Sequence, residues 1–476
     1  MAQMACEVCV IGAGSAGLSV AAGTSQLGLK TVLIERAEMG GECLNSGCVP
    51  SKALLAAGKA ARHVEETAIE GVSGAAPGVD FKAVGNGVRA VIDAIAPHDS
   101  VARFEGLGVT VMRDSVRFLN ASTVQVGDVA VRARWVVIAT GSRAVIPQIP
   151  GLDPSRSLTN ETIFKLRDKP EHLVIIGGGP IGIEMAVSHR RLGARVTVIE
   201  RFSILPHDEP ELVEELRTVL RAEGISVLEW AEVESVEHKA EAVVVHVKQE
   251  RGDQAVSASH LLIAAGREPV LDDLALDAAG IAFDRKGIVV DKQLRTSRRH
   301  VFALGDVIDA PHFTHVAGYQ AGIVVRNLAF RLPAKVDYDA LPWVTYTDPE
   351  LAHVGLTEAQ ARKRYGDAIS VQRVPLHDND RAVAERRTKG SIKVIVGARG
   401  RILGASILAP AAGEMIGLWC LAIKQKLSLR AITDLMLPYP TMGEIGKTAA
   451  SQYYQPVLFS DRIRRLVGVL QWLPKW

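Results

Sequence analysis

The feature that most constrains this chain is a glycine motif that occurs twice, each time between a strand and a helix. The first copy joins "EVCVIGAG" to "SAGLSVAAGTSQLG", and the second joins "HLVIIGGG" to "PIGIEMAVSHRRLG" 165 residues later. Glycine permits a tight turn and a close approach of pyrophosphate, whose charge a helix N-terminus stabilises. The duplication predicts two Rossmann-like dinucleotide-binding domains in an α/β chain. The motif glycines are Gly12, Gly14 and Gly17 in the first copy and Gly177, Gly179 and Gly182 in the second.

An acidic residue follows each motif at the same distance. Glu35 lies 23 residues after Gly12, and Glu200 lies 23 residues after Gly177. A carboxylate at the end of the second strand bonds a ribose hydroxyl of a dinucleotide. Two such sites predict two dinucleotides, and a flavin with a nicotinamide is the natural pair because a hydride must be passed onward. Glu200 would repel a 2′-phosphate and so favours NADH over NADPH, a preference that the neighbouring Arg201 opposes.

Composition narrows the functional class. The 476 residues carry a net charge of +2 and 5% aromatic residues, so the sequence predicts no nucleic-acid partner. A strand begins almost at once, and the apolar stretch there has neither the basic region nor the cleavage site of a signal peptide. No run of about 18 apolar residues occurs. We therefore expect a cytoplasmic protein.

Two of the five cysteines lie close together in "GGECLNSGCVPSKALL". Cys43 and Cys48 would be about 7.5 Å apart along the axis of a regular helix, whereas a disulfide needs Cα atoms about 5.5–6 Å apart. Cys43 is therefore expected in a loop or distorted turn, and Cys48 just before a helix that has Pro50 in its first turn. A thiolate at a helix N-terminus is stabilised. No further Cys or His completes a metal site and a static disulfide is unusual in the cytoplasm, so a redox couple is favoured.

The same segment resembles the active-site motif of the class I pyridine nucleotide-disulfide oxidoreductases. This family includes dihydrolipoamide dehydrogenase, glutathione reductase and mercuric reductase. The resemblance extends to about Tyr454 and follows the family's order of motifs. The other matching stretches are "ATGSRAVIPQIPG" (139–151), "GGGPIGIE" (177–184), "AAGREP" (264–269), "FALGDV" (302–307), "VTYTDPELAHVGLTE" (344–358) and the "PTMGE" region.

The resemblance implies roles for the residues of the cysteine segment. Cys48 would be the charge-transfer thiol against the flavin, and Cys43 the interchange thiol facing the substrate. Lys52 would lie near the flavin N5 and pair with Glu184. The spacing agrees with this, since Lys52 lies one turn after Cys48 on the same helix face.

The resemblance also assigns the cofactors: the first glycine motif to FAD and the second, with Gly266, to NAD(P). Asp306 would bond the ribityl chain, and Thr140 and Gly141 would lie near the adenine half of FAD. His315 matches a segment near the isoalloxazine, although a buried histidine with satisfied hydrogen bonds is the favoured alternative. The domains implied are FAD-binding (1–150 and 270–335), NAD(P)-binding (151–269), a C-terminal α+β dimerisation domain (336–460) and a basic tail (461–476).

The chain departs from the family near its C-terminus. Members that handle dithiols carry His-Pro there, with a glutamate four residues after the proline, whereas this chain has Tyr439 before Pro440 and keeps Glu444. A phenol with a pKa near 10 is a poorer base at neutral pH than an imidazole near 6.5. Mercuric reductase has a tyrosine in this region, but it ends in a cysteine pair that "QWLPKW" lacks. The nearest pattern is thus a mercuric reductase core without that pair, with Tyr439 and Glu444 as catalytic candidates.

These observations predict an FAD-dependent NAD(P)H oxidoreductase that passes electrons through Cys43–Cys48. The acceptor is expected to be a small disulfide, metal or quinone-like molecule, and the family builds homodimers. One alternative is dihydrolipoamide dehydrogenase or mercuric reductase proper. Another is a flavin-binding redox sensor without turnover, against which the complete set Cys43, Cys48, Lys52 and Glu184 argues.

The C-terminal stretch "DRIRRLVGVLQWLPKW" is predicted to be a basic amphipathic helix. Its charge and tryptophans suit contact with a membrane surface, so the enzyme could be peripheral to a membrane. Docking of the helix on the protein's own dimer is an equal alternative. The apolar residues near one face are Ile463, Leu466, Val467, Leu470 and Leu473, and the basic residues are Arg462, Arg464, Arg465 and Lys475.

Overall fold

The computed structural model describes residues 2–66, 78–250 and 252–473. In chain order, the strands are β1 (Ala2–Ile11), β2 (Thr31–Ile34), β3 (Thr110–Met112), β4 (Val116–Asn120), β5 (Thr123–Val126), β6 (Val129–Ile138), β7 (Ser142–Ala144), β8 (His172–Ile176), β9 (Arg195–Ile199), β10 (Ser226–Leu228), β11 (Glu232–His238), β12 (Val243–Lys248), β13 (Gln254–Ala258), β14 (His260–Ile263), β15 (Arg267–Pro269), β16 (Phe283–Asp284), β17 (Gly287–Ile288), β18 (Val301–Ala303), β19 (Pro342–Thr345), β20 (Glu350–Gly355), β21 (Ser370–Pro375), β22 (Ser391–Val396) and β23 (Ile402–Ala409). The helices are α1 (Ser15–Gln26), α2 (Gly41–Asn45), α3 (Cys48–Glu66), α4 (Phe81–Ile95), α5 (Val101–Gly106), α6 (Pro180–Arg191), α7 (Pro210–Ala222), α8 (Leu276–Ala279), α9 (Thr314–Ala329), α10 (Glu358–Tyr365), α11 (Asp380–Ala384), α12 (Ala412–Lys424), α13 (Leu429–Thr433), α14 (Glu444–Leu458) and α15 (Asp461–Gln471).

The first of two compact units comprises residues up to 203 together with 225–337. Its larger sheet has the order β3-β2-β1-β6-β5-β4, and β18 also pairs with β6. Strands β1, β2, β3, β6 and β18 pair in parallel, which suits the buried apolar runs at the carboxyl ends of β1, β2 and β6. The segment around β18 thus returns to the sheet that begins at the N-terminus.

The same unit contains a smaller parallel sheet of order β10-β9-β8-β14. Strand β8 is buried along its whole length and is followed by the second glycine turn and α6. An antiparallel sheet β11-β12-β13 lies next in sequence. In both sheets, therefore, a central strand, β1 or β8, ends at a glycine motif, where open α/β sheets bind ligands.

The second unit comprises residues 204–224 and those from 338 onward. Its antiparallel sheet has the order β19-β20-β23-β22-β21, in which β22 and β23 are buried throughout. Helices α12 and α14 pack on this sheet, and Trp419 of α12 is only 2% exposed. This is the arrangement of an α+β layer with its core between helices and sheet. The three-domain boundaries drawn from the sequence stay a prediction.

The last described helix, α15, has no buried residue. Ser460 caps its N-terminus by accepting a hydrogen bond from the Ile463 N–H. Within residues 2–66, 78–250 and 252–473, no helix combines the length and apolar character that a membrane span requires.

Candidate active site

The two glycine turns hold their acidic residues in the same way. In the first copy, the Ala13 N–H donates to Glu35 over 2.7 Å, and the Ala37 N–H donates to its other oxygen over 2.7 Å. In the second, Glu200 accepts from the Gly178 N–H at 2.7 Å and from the Phe202 N–H at 2.9 Å. Each contact recurs at the 165-residue offset of the motifs. Both carboxylates are therefore fixed beside a turn built to receive a dinucleotide.

In each turn, one glycine is packed against backbone atoms and another borders open space. A Cβ on Gly17 would lie 1.8 Å from the Gly12 carbonyl oxygen, and one on Gly182 would lie 2.0 Å from that of Gly177. A side chain at either position would collide with backbone. A Cβ on Gly14, by contrast, would meet only the Gly41 Cα at 4.0 Å, and one on Gly179 would meet nothing within 4 Å. The space above the middle glycine is where a pyrophosphate can approach, so the chain fits both FAD and a nicotinamide dinucleotide.

The cysteine segment lies directly against the first turn. Gly41 has a left-handed backbone (φ 57°), and a Cβ there would lie 2.7 Å from the Gly14 Cα. Cys43 lies in the short helix α2 rather than in a loop, and α2 ends before Gly47. Cys48 is the first residue of α3 rather than the residue before it, which corrects the position expected from the sequence. Both thiols are free in this structure.

The two thiols differ in acidity. Each is within hydrogen-bond reach of the other, and this bond lowers the pKa of Cys48 to about 6 while raising that of Cys43 far above its ordinary value. Burial opposes the shift at Cys48, whereas the Thr314 hydroxyl and the positive charge of Lys52 support it. The Cys48 Sγ lies 3.4 Å from the Thr314 Oγ1. These opposite shifts favour ionisation of Cys48, with Cys43 as its neutral hydrogen-bond donor.

The Lys52–Glu184 ion pair expected from the sequence is present. The Lys52 Nζ lies 2.8 Å from the Glu184 Oε2, and the Glu184 side chain is only 5% exposed. Helix α3 carries the lysine and α6 carries the glutamate, so the pair joins the thiol helix to the helix of the second glycine turn. The cofactor roles assigned to both residues stay predictions.

A second ion pair near the thiols was not anticipated from the sequence. Arg267 donates through both terminal nitrogens to Glu42, the residue before Cys43, with 2.6 Å from Nη1 to Oε1. Burial raises the pKa of Glu42 to about 6, against the opposing charge of Arg267. Arg267 also donates to the Ser142 Oγ at 2.9 Å, and Ser142 donates to Asp306 at 2.8 Å. The network ties α2 to the segment that bears Asp306.

The remaining residues predicted to bind FAD lie in the same unit. The Thr140 hydroxyl donates to the Val270 carbonyl at 2.8 Å, and Gly141 has a left-handed backbone (φ 70°). His315 lies in the first turn of α9 and is exposed. The favoured interpretation of His315 as a buried core histidine is therefore wrong, because its helix begins at the surface. Its ring stacks on Phe313 with centroids 5.2 Å apart.

Arg201, which follows Glu200 of the second glycine motif, contacts two neighbouring side chains. Arg201 forms an ion pair with Glu232 at 3.1 Å, and its guanidinium lies 5.7 Å from the centre of the Phe202 ring. Gly266 adopts a positive φ of 130° just before the half-buried Arg267. The basic residue that was expected to weaken NADH preference is engaged by a carboxylate and a ring.

The C-terminal candidates lie in the second unit. The Tyr439 hydroxyl donates to the Asp380 carboxylate at 2.8 Å, and this bond raises the pKa of the phenol. Tyr439 is 71% exposed. Glu444 begins α14 and accepts from the Thr441 N–H at 3.2 Å. Their catalytic role stays a prediction, and the raised pKa makes it harder for Tyr439 to ionise and act as a base at neutral pH.

Among the residues that the structure describes, no group of three or more His, Cys, Asp or Glu side chains is placed to hold a metal ion. The chemically distinctive constellation is instead the thiol pair. It combines Cys43 and Cys48 with Thr314, Lys52 and the buried Glu184.

Comparisons with known proteins identify a family whose models match most of the chain. Residues 6–321 match the model described as pyridine nucleotide-disulphide oxidoreductase, and residues 341–450 match the model of its dimerisation domain. The mercuric reductase of Streptomyces lividans is 35% identical over 460 residues, covering 95% of this chain and 97% of that protein. The dihydrolipoyl dehydrogenase of Geobacillus stearothermophilus is 33% identical, covering 93% and 95%.

A solved structure is similar over almost the same span. The Cu(II) complex of the HOCl-induced flavoprotein disulfide reductase RclA from Escherichia coli has a TM-score of 0.83 at 29% identity. The match covers 94% of this chain and 99% of that one.

Proposed function

Because the chain belongs to the pyridine nucleotide-disulphide oxidoreductase family, we propose that Cys43 and Cys48 are its redox pair and that Cys43 delivers electrons to a disulfide or a thiophilic metal ion. The family uses FAD and NAD(P)H. The observation that carries the proposal is a pair of thiols within hydrogen-bond reach of each other beside the first glycine turn, with the Thr314 hydroxyl 3.4 Å from Cys48. The opposite pKa shifts of the two thiols support it.

FAD would be held by the first glycine turn, Glu35 and the segment bearing Asp306, and when bound it accepts a hydride and passes two electrons on. The protein's own contribution is to stabilise the Cys48 thiolate through Thr314 and Lys52. Glu184 fixes Lys52 by a short ion pair at a nearly buried position. These residues favour the thiolate form of Cys48, so no further base is needed to keep it deprotonated.

The exchange that we propose balances with one nicotinamide per acceptor disulfide. Two electrons and one proton, both supplied by the hydride of NADH, reduce the Cys43–Cys48 disulfide to the Cys43 thiol and the Cys48 thiolate. Cys43 passes its proton to the Cys48 thiolate as it attacks one sulfur of the acceptor, and the thiolate released takes up a proton from solvent. Cys48 then attacks the mixed disulfide, which releases the second thiol with the Cys48 proton and re-forms the pair. The net reaction converts NADH, one proton and a disulfide into NAD⁺ and two thiols.

The acceptor is inferred from the acid–base groups and the relatives. Tyr439 is a poor proton acceptor because its hydroxyl is bonded to Asp380, which disfavours rapid exchange with dihydrolipoamide or glutathione. Soft metal ions bind thiolates without such a base. The mercuric reductases and the copper complex of RclA among the relatives support a metal acceptor. A quinone is a third class to be assayed.

A panel of acceptors tests the proposal. NADH and NADPH oxidation should be measured with lipoamide, glutathione disulfide, an aromatic disulfide, Hg(II), Cu(II) and a soluble quinone. We expect turnover with the aromatic disulfide or a metal ion, and its loss in Cys43→Ser. Undiminished turnover in Cys43→Ser would contradict delivery through that thiol, and equal turnover of a quinone in the variant would identify a route that bypasses the pair.

The match to the dimerisation domain supports a homodimer. We propose further that the enzyme is cytoplasmic, where thiol pairs stay reducible, and that α15 touches anionic membrane surfaces. Leu470 is 51% exposed and Trp472 is 92% exposed, and basic residues lie at the start of the same helix. Exposed apolar and basic groups on one short helix suit a headgroup boundary.

Flotation with phosphatidylserine vesicles tests this contact. Full-length protein should float, and a chain ending at Ser460 should not, because the truncation removes both the apolar and the basic groups. Phosphatidylcholine vesicles serve as the uncharged control. Equal flotation of both chains would contradict the proposal, and conversion of the truncated chain to a monomer would favour docking of α15 on the dimer.

A further inference from the structure

Two exposed aromatic side chains lie beside the acidic residue of the second nucleotide motif. Phe202 is 56% exposed and Trp230 is 66% exposed, although both are large apolar groups. Their rings meet edge to face, with centroids 6.1 Å apart and an interplanar angle of 85°. The Phe202 N–H donates to the Glu200 carboxylate at 2.9 Å. The aromatic pair is therefore anchored to the residue expected to bond the ribose.

The sheet topology explains why these residues meet. Phe202 follows the carboxyl end of β9, and Trp230 follows that of the adjacent parallel strand β10. The Trp230 N–H donates to the Phe202 carbonyl at 3.2 Å, and the Ala231 N–H donates to the Glu200 carbonyl at 3.0 Å. Open α/β sheets bind their ligands beyond the carboxyl ends of such strands.

Trp230 is held in a conformation that a bulky residue rarely adopts. Its φ is 53°, in the left-handed region that favours glycine. Both the left-handed backbone and the exposure of a large ring to water are unfavourable in the free protein. Such strain concentrates at ligand-binding sites, where a bound group makes use of the displayed side chain.

We propose that Phe202 and Trp230 form a stacking platform for the adenine of the nicotinamide dinucleotide. This assignment rests on the proposed function, in which the second glycine motif binds that cofactor. Adenine adjoins the ribose that Glu200 would bond, so its ring falls at the edge of the sheet where these side chains lie. Stacking of a base on aromatic rings contributes to affinity independently of base identity.

The platform also bears on the choice between the two nicotinamides. Arg201 is the basic residue nearest in sequence to Glu200, and it is occupied by Glu232 and by the Phe202 ring. A 2′-phosphate would therefore be repelled by the Glu200 and Glu232 carboxylates and would compete with Glu232 for the Arg201 guanidinium. The arrangement binds adenine by its face and favours NADH.

Calorimetry of the oxidised holoenzyme with ADP-ribose tests the platform without turnover. Phe202→Ala combined with Trp230→Gly should raise the dissociation constant roughly 5- to 100-fold. Glycine readily adopts the conformation of Trp230, so the variant should fold. Trp230→Phe alone keeps an aromatic ring at both positions and should retain most of the wild-type affinity. Phe283→Ala, which removes another exposed ring (43%), should leave the affinity unchanged.

Reduction by nicotinamide mononucleotide hydride, which lacks adenine, supplies a second readout. Its rate should be the same in wild type and in the double variant. An unchanged ADP-ribose affinity in the double variant, or an equal loss with the mononucleotide, would overturn the platform while leaving the thiol proposal intact. Failure of wild-type holoenzyme to bind ADP-ribose or to accept electrons from either nicotinamide would instead remove the cofactor assignment on which the platform rests.

Discussion

At the scale of single residues, the behaviour of the site depends on which of two thiols is ionised. The Thr314 hydroxyl and the Lys52 charge act on Cys48, and the Cys43 thiol donates to it. A single negative charge is then shared within a hydrogen-bonded pair rather than carried by both sulfurs. The ionised sulfur is the one at the helix N-terminus, where the helix dipole also favours it.

The pKa of Cys48 leads to a prediction for the reduced enzyme. Because its folded pKa is lowered to about 6, the thiolate should be present at pH 7 and lost as the pH falls below about 6. The long-wavelength absorption of thiolate beside oxidised FAD reports this titration. Thr314→Val, which removes the hydroxyl, should raise the midpoint by roughly one pH unit.

Thr314→Ser is the matched control, since it keeps the hydroxyl and should keep the midpoint. A Thr314→Val enzyme with the wild-type midpoint would show that the hydroxyl does not act on the Cys48 thiolate. A parallel shift in both variants would indicate altered packing of α9 instead.

Sequence reasoning identified the residues whose roles the family pattern supplies and missed two contacts between residues that are distant in the chain. Cys43, Cys48 and Lys52 lie in one segment, and Glu184 follows the second glycine motif, so a known pattern could connect them. Thr314 is 266 residues from Cys48, and Arg267 is 225 residues from Glu42. The sequence around Thr314 and Arg267 does not indicate which distant residue each one contacts. These contacts form only when the chain is folded.

At the scale of elements, the glycine turns divide into a packing glycine and a ligand-facing glycine. Gly182 packs α6 against the turn that follows β8 so closely that its missing Cβ is required, whereas Gly179 borders open space. The two positions lie three residues apart in one motif. The structure therefore separates effects on folding from effects on binding, which the motif alone does not.

This distinction predicts two different outcomes for two alanine variants. Gly182→Ala should lower the free energy of unfolding by about 2 kcal/mol or more, because its Cβ would lie 2.0 Å from a backbone oxygen. Gly179→Ala should unfold at the wild-type denaturant concentration and yet weaken ADP-ribose binding, since its methyl group would occupy the approach of the pyrophosphate. Denaturant titration and calorimetry provide the two measurements. Equal stability of the two variants would contradict the assignment.

The element boundaries were predicted less well than the elements themselves. The strands beginning each Rossmann-like copy were anticipated from their apolar runs. The start of α3 at Cys48 and the regular helical turn that contains Cys43 were not, because a loop or distorted turn with its bend at "LNSG" was expected. The structure keeps both cysteines helical and places the break at Ser46 and Gly47.

At the scale of the whole molecule, the predicted class is confirmed. The chain has the α/β architecture of a flavoprotein disulfide reductase with FAD- and NAD-binding and dimerisation domains. The duplication of the nucleotide motif predicted the two Rossmann-like domains, and the resemblance of the cysteine segment and the other motifs predicted the family. Neither feature predicts that residues 204–224 belong to the second compact unit. They do so although they lie between strands of the first unit in the sequence.

The second unit contains a buried charge cluster that makes a prediction about stability. Lys393 is 3% exposed and contacts Glu209 at 2.8 Å, Glu211 at 3.0 Å and Glu358 at 2.8 Å. Burial alone would lower the pKa of Lys393, but its hydrogen bonds to these carboxylates raise it. Lys393→Met should lower the free energy of unfolding by about 3 kcal/mol, because it leaves the Glu209 carboxylate, which is only 2% exposed, without its cation.

Lys389→Met is the control for this measurement, as Lys389 is exposed on the approach to the same strand. It should unfold with the wild-type midpoint in urea. Addition of Glu209→Gln to Lys393→Met should recover part of the loss by removing the most buried carboxylate. A Lys393→Met protein as stable as wild type would contradict the cluster's contribution.

The central claim, a Cys48 thiolate beside FAD that forms when the cysteine pair is reduced, is tested most directly by anaerobic titration with NADH. Wild-type enzyme should develop the long-wavelength thiolate band after one NADH per FAD, while the flavin stays oxidised. Cys43→Ser should show the band before any NADH is added, and Cys48→Ser should never show it. Persistence of the band in Cys48→Ser, or its absence from wild type, would contradict the account.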